Sequence, residues 1–94
     1  MPAVVATIKV KPGQEAEFEA VAKEMAAAVT ANEPGCHFYV LCRGETPDTY
    51  VFLERYADQA AVETHRASTH FKEIGRRMGA FMDGRPEIRR LEEV

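Results

Sequence analysis

Cys36-His37-Phe38-Tyr39-Val40-Leu41-Cys42-Arg43, then Gly44-Glu45-Thr46-Pro47-Asp48, then Thr49-Tyr50-Val51-Phe52-Leu53-Glu54-Arg55-Tyr56: this stretch decides the fold. Two runs rich in aromatic and β-branched residues flank five residues of turn-forming composition, the pattern of an antiparallel hairpin. Along the second run Tyr50 and Phe52 face one way and Val51 and Leu53 the other, so that strand is apolar on both sides. An antiparallel sheet with helices on one face and water on the other alternates apolar and polar residues instead.

Upstream, Ala3 to Val10 repeats the two-sided pattern, with Val4, Ala6, Ile8 and Val10 opposite Ala3, Val5 and Thr7. It stops at Lys11-Pro12-Gly13, which is turn chemistry. From Gln14 to about Ala31 the composition favours helix, and Phe18, Val21, Met25 and Val29 recur at helical spacing. The opposite face carries Glu15, Glu19 and Lys23. Asn32-Glu33-Pro34-Gly35 ends that helix, because proline cannot continue it.

Downstream, Asp58 can cap a short helix through Ala67, and Ser68 or Thr69 can cap a second one carrying Phe71, Ile74, Met78 and Phe81. Gly84-Arg85-Pro86 closes it, and Glu87 to Val94 is a final strand. The predicted order is β-α-β-β-α-β with the second helix split, an α+β ferredoxin-like arrangement with an antiparallel sheet. Helices reach only one face of such a sheet, so the other is expected to meet a second copy of the chain, giving a homodimer.

No linker divides the 94 residues, and one domain spanning 1–94 is expected. The net charge of -3 comes with scattered Lys and Arg, which argues against a nucleic-acid partner. Neither a leader-like amino terminus nor a long apolar run is present, so no membrane association and a cytoplasmic location are expected. Cys36 and Cys42 on one strand lie about 20 Å apart, too far for a disulfide. They have no metal-ligand spacing, and no metal is assigned.

Glu33-Pro34-Gly35-Cys36, Tyr39, Tyr50 to Glu54, Tyr56-Ala57-Asp58, Ala60-Ala61 and His65 through Ser68 to His70-Phe71 occur in the order found in antibiotic biosynthesis monooxygenase domains, which the chain resembles over almost its whole length. The resemblance implies a dimeric α+β barrel with a pocket between sheet and helices. It further implies a choice among several activities: oxygenation of polycyclic aromatics or quinols without metal or flavin, haem degradation, or isomerisation of a phosphorylated signal. Haem degradation is not expected, because that branch uses a pocket tryptophan and a strand-one asparagine. This chain has no Trp and reads Ala6-Thr7-Ile8-Lys9 there.

Among residues able to do chemistry, His65 lies three and four positions after Val62 and Ala61 and so shares their inward helix face. An imidazole there can remove a phenolic or enolic proton near neutral pH, or serve as a buried structural hydrogen-bonding group. Glu54 shares a strand face with Tyr50 and Phe52 and needs a partner, which His65, Arg76 or Arg77 could supply. A Glu54-His65 pair would fix the imidazole tautomer. Tyr39 could hydrogen-bond a substrate oxygen or be plain core.

His70, at the start of the later helix, reads as a surface or capping histidine. Phe52, Phe71, Ile74 and Met78 could line an aromatic pocket, with Arg76 receiving an anionic group.

No dinucleotide fingerprint or phosphate loop is present, and no cofactor is assigned. The expected activity is a cofactor-independent monooxygenation of a quinol or polycyclic phenol by O₂, with His65 as base, Glu54 orienting it and Tyr39 holding the substrate. The alternatives are an isomerase or tautomerase acting on a small carbonyl or phosphorylated metabolite, and a non-catalytic metabolite-binding dimer.

Overall fold

The computed structural model describes residues 1–94. Strand β1 (Pro2–Lys9), helix α1 (Glu15–Asn32), strands β2 (Cys36–Arg43) and β3 (Thr49–Tyr56), helices α2 (Gln59–Ala67) and α3 (Thr69–Gly79) and strand β4 (Glu87–Glu92) follow in that order. The four strands form one open antiparallel sheet ordered β2-β3-β1-β4, the ferredoxin-like arrangement expected from the hairpin outward. No helix is long and apolar enough to cross a membrane.

Local chemistry sets the joints. Gly13 takes φ +82, the left-handed region that glycine enters without steric cost, and the chain turns there into α1. The Asp58 carboxylate accepts the Ala61 N–H at 2.8 Å and starts α2. Ser68 then ends one helix and begins the next, because its hydroxyl donates to the His65 carbonyl at 2.7 Å and accepts the Phe71 N–H at 3.2 Å. This single cap splits the second helical segment.

Element ends differ slightly from expectation. Val10 lies beyond β1 and pairs with Met82 in an isolated bridge. Helix α3 stops at Gly79, so Phe81 falls in the following turn with its N–H bonded to the Met78 carbonyl at 3.0 Å. The last strand ends at Glu92.

Phe18, Val21, Ala22, Met25 and Val29 of α1 are buried against Ala6, Ile8, Tyr50 and Phe52 of the sheet. Strand β2 carries a bulge between Cys36 and Phe38. Because side-chain direction alternates along a strand, an extra residue there reverses the alternation downstream. Cys36 and Tyr39 therefore both pack toward the core, while Phe38 stays about half exposed on the other side, at 47%. Cys42 is opposite Val51 and away from Cys36, and both cysteines are free.

The second sheet face carries Val5, Phe38, Val40, Leu53 and Leu91, four of which are exposed large hydrophobics, and no helix covers it.

Candidate active site

Between the sheet and α3 lies a cavity of about 350 Å³. Its wall is apolar, built from Ala6, Ile8 and Phe52 on the sheet, Met25 on α1, and Phe71 and Met78 on α3. At one end four groups that can donate or accept protons converge: Tyr39, Glu54, Tyr56 and His65. Tyr39 and Glu54 are direct cross-strand partners, which puts them side by side on the inner face. The His65 ring lies 5.3 Å from the Tyr39 ring, 5.7 Å from Tyr56 and 4.6 Å from Phe71.

His65 is buried, as its helical position predicts, but its partner is not Glu54. Its Nδ1 sits 2.9 and 3.1 Å from the two oxygens of Glu33, a carboxylate buried at the end of α1. A carboxylate oxygen accepts, so Nδ1 carries the proton and Nε2 keeps its lone pair. That Nε2 has no hydrogen-bond partner, and every fully buried polar side-chain atom does have one. It is therefore an atom open to the cavity that His65 lines. Burial pushes the imidazole below its ordinary pKa, and the Glu33 carboxylate only partly offsets this. The result is a neutral imidazole held in one orientation, with the Nε2 lone pair free.

His70 also differs from its surface reading, since its Nε2–H donates to the same Glu33 oxygen at 2.5 Å and its side chain is largely buried. Glu33, His65 and His70 place ligand-type atoms within 4.8 Å of one another, so they are also the residues able to hold a cation. A cation there would displace both hydrogen bonds.

The loop after Glu33 makes this possible. A Cβ on Gly35 would lie 2.9 Å from the Ala61 Cβ, and the Gly35 carbonyl accepts the Ala57 N–H at 2.8 Å. Only glycine lets the loop approach α2 so closely. In the sequence Glu33 stands out only as an acidic residue directly before Pro34-Gly35, at a helix end that the turn folds back toward α2.

Glu54 bonds Tyr56, whose hydroxyl donates to it at 2.6 Å. Desolvation dominates its titration and pushes its pKa up from 4.5 to about 7, against the lowering effects of Tyr56 and Arg66. Tyr39 packs on Phe52 at 4.9 Å, and burial raises its phenol well above the usual range, so it stays a donor.

Phe52, Phe71 and Met78 line the cavity as expected. Ile74 does not; it packs against the core cluster on another face of α3. Arg76 points to solvent, and Arg77 is bonded to Glu24 at 2.9 Å. Both lie on the wrong side of the helix, and the cations beside the cavity are Arg66 and Lys72.

Residues 1–77 match the family model described as antibiotic biosynthesis monooxygenase. A solved structure from Caulobacter crescentus, described as a "putative antibiotic biosynthesis monooxygenase", is 46% identical and superposes with a TM-score of 0.95 over 99% of this chain and 89% of that one. The Bacillus subtilis protein named "Putative monooxygenase YcnE" is 31% identical over 71% of this chain and 70% of its own length. An uncharacterised Synechocystis protein is 36% identical over 78% of this chain, but the match spans only 50% of that relative. With the family match over most of its length and this cavity between sheet and helices, the chain belongs to the antibiotic biosynthesis monooxygenase family.

Proposed function

We propose that this chain oxidises an electron-rich phenol or quinol with O₂, using His65 as the base. One observation carries the reading: an imidazole held through Nδ1–H by Glu33, with Nε2 open to a cavity whose wall is mostly apolar. Nε2 takes the phenolic proton, and Tyr39 donates a hydrogen bond to the same substrate oxygen. The resulting anion is electron-rich enough to reduce O₂ itself. One oxygen atom then bonds to a ring carbon and the other leaves as water, so that a dihydroxynaphthalene becomes a hydroxynaphthoquinone. The apolar wall keeps solvent from the intermediate. Glu54, titrating near neutrality, can return a proton to the departing oxygen.

The test is oxygen uptake with dihydroxynaphthalenes, read together with incorporation of one labelled oxygen atom from ¹⁸O₂. No uptake with any quinol that binds would sink the reading. A proton-shifting isomerase is the second reading, favoured by the placement of Glu54 and His65 on one cavity with Arg66 and Lys72 beside it. Exchange of a carbonyl-adjacent hydrogen with deuterated solvent, without oxygen uptake, would select it.

The uncovered sheet face supports a homodimer, with the exposed Phe38, Val40, Leu53 and Leu91 buried between copies. Sedimentation at micromolar concentration is expected to give twice the chain mass, and Leu53→Glu is expected to give monomer. A native chain that sediments as a monomer contradicts it.

A further inference from the structure

Helix α3 presents Gly75 and Gly79 to the cavity, one turn apart and between Phe71 and Met82. Glycine is a poor residue for a helix, second only to proline in cost. Nothing in the backbone demands it at these two positions, since neither glycine has a positive φ. Neither is there for close packing. A Cβ on Gly75 would meet only the Met25 Cε, at 3.9 Å, and one on Gly79 would meet nothing within 4 Å. Gly75, inside the helix, thus weakens it without serving the fold, and Gly79, its last residue, leaves open a space that a side chain could use.

What they do is leave space. From Phe71 to Gly79 the helix advances about 12 Å, and along that length the cavity wall on α3 is notched twice. At the Phe71 end of the same cavity stands His65, which is 4% exposed and whose Nε2 has no protein partner.

We infer that Gly75 and Gly79 determine specificity: they form a slot that admits a flat ligand of two or more fused rings, with its hydroxyl at His65 and its far ring against the helix backbone. The inference rests on the aromatic-ligand reading above, yet it concerns binding and not oxidation. A single-ring phenol reaches His65 without entering the slot. A fused-ring phenol needs it.

The test uses the full chain under anaerobic conditions, with 2-naphthol and phenol as probes and binding followed by fluorescence or calorimetry. Gly75→Ala is expected to raise Tm, by about 4–8 °C if the full helix preference is realised. Gly75→Leu and Gly79→Leu are expected to weaken 2-naphthol about 10-fold or more while phenol stays within about twofold, a size discrimination typical of an apolar pocket. A Tm that falls in Gly75→Ala means the glycine serves the fold and overturns the inference. So does equal weakening of both probes, unchanged 2-naphthol affinity, or a failure of 2-naphthol to bind the unaltered protein. If 2-naphthol binds, the leucines exclude it, and no quinol is oxidised in air, the slot stands and the oxidation reading falls.

Discussion

Strand β3 ends in a tyrosine at each end of its inner face, and each tyrosine donates to a glutamate, yet the two carboxylates behave in opposite ways. At one end Tyr50 bonds Glu19 at 2.5 Å, and the Arg43 guanidinium bonds the same carboxylate at 2.9 and 3.0 Å. Arg43 first, then Tyr50, holds Glu19 down at about 2. At the other end Tyr56 bonds Glu54 at 2.6 Å, but burial outweighs that bond and Glu54 rises to about 7. A phenol hydrogen bond favours the charged form in both places. What differs is a guanidinium with access to water at one end and desolvation beside a mostly apolar cavity at the other. One end is a surface tie between α1 and the sheet, and the other is where protons can move near neutral pH.

The largest effect expected at the cavity end is on turnover. His65→Ala should leave the chain folded and lower the oxidation rate about 10²- to 10⁴-fold, the usual contribution of a positioned proton acceptor. Circular dichroism and oxygen uptake on the same sample check this. A folded variant with full turnover would reduce His65 to a structural group and leave Glu54 as the base.

Glu54→Gln tests the contrast through pH. The folded pKa of about 7 lies above the ordinary 4.5, so the protein is more stable below pH 4.5 and loses that stability as pH rises through 7. The glutamine variant should lack this decline. At about 1.4 kcal/mol per pH unit the gap has a ceiling of about 3–4 kcal/mol, favouring the variant at pH 8. Urea unfolding at pH 4.5 and pH 8 measures it. Equal pH slopes in the two proteins would mean that Glu54 titrates normally.

Gly35→Ala asks whether the cavity end depends on backbone approach instead of ion pairing. Its new methyl would meet the Ala61 Cβ at 2.9 Å, and forcing such contacts apart costs about 1–3 kcal/mol. Turnover should fall with stability, because the loop carrying Glu33 moves away from His65. Ala61→Gly should restore much of both. A harmless Gly35→Ala would show that the loop tolerates more room than the geometry allows.

How much of this the sequence revealed depends on whether a residue's partner is local. The hairpin, the helix caps at Asp58 and Ser68 and the inward turn of His65 follow from neighbours within a few positions, and all appear as expected. The partner of His65 does not. Glu33 is 32 residues away, and its carboxylate turns inward only because the chain folds back at Pro34-Gly35 against α2. By sequence Glu54 is the nearer candidate, since it shares the inner sheet face, but face sharing does not set distance. Tyr39 reaches the cavity only through the bulge between Cys36 and Phe38, which no turn residue marks. Arg76 and Ile74 show the limit of helical spacing: it gives a face, while the rotation of the helix on the sheet decides which face meets the cavity.

The smallest effect is expected at the Glu19 end, and its sign is the sharpest check on the contrast. Glu19 has a folded pKa near 2, below the ordinary 4.5, so its stabilisation is present above pH 4.5 and is lost as pH falls through 2. Glu19→Gln should therefore lower Tm at pH 7 and converge with the native chain toward pH 2, the reverse of the Glu54→Gln slope. The drop should be only a few degrees, roughly, because the Arg43 side chain is 76% exposed and water screens the pair. High salt should shrink it further, whereas the Glu54 effect, which comes mainly from desolvation, should respond less. Melting curves for both variants at pH 2, 7 and 8, with and without 1 M salt, separate the two ends. If Glu19→Gln destabilised in a salt-independent way, the Tyr50 hydrogen bond and not the guanidinium would govern that carboxylate. The contrast between the two ends of β3 would then have to rest on burial alone.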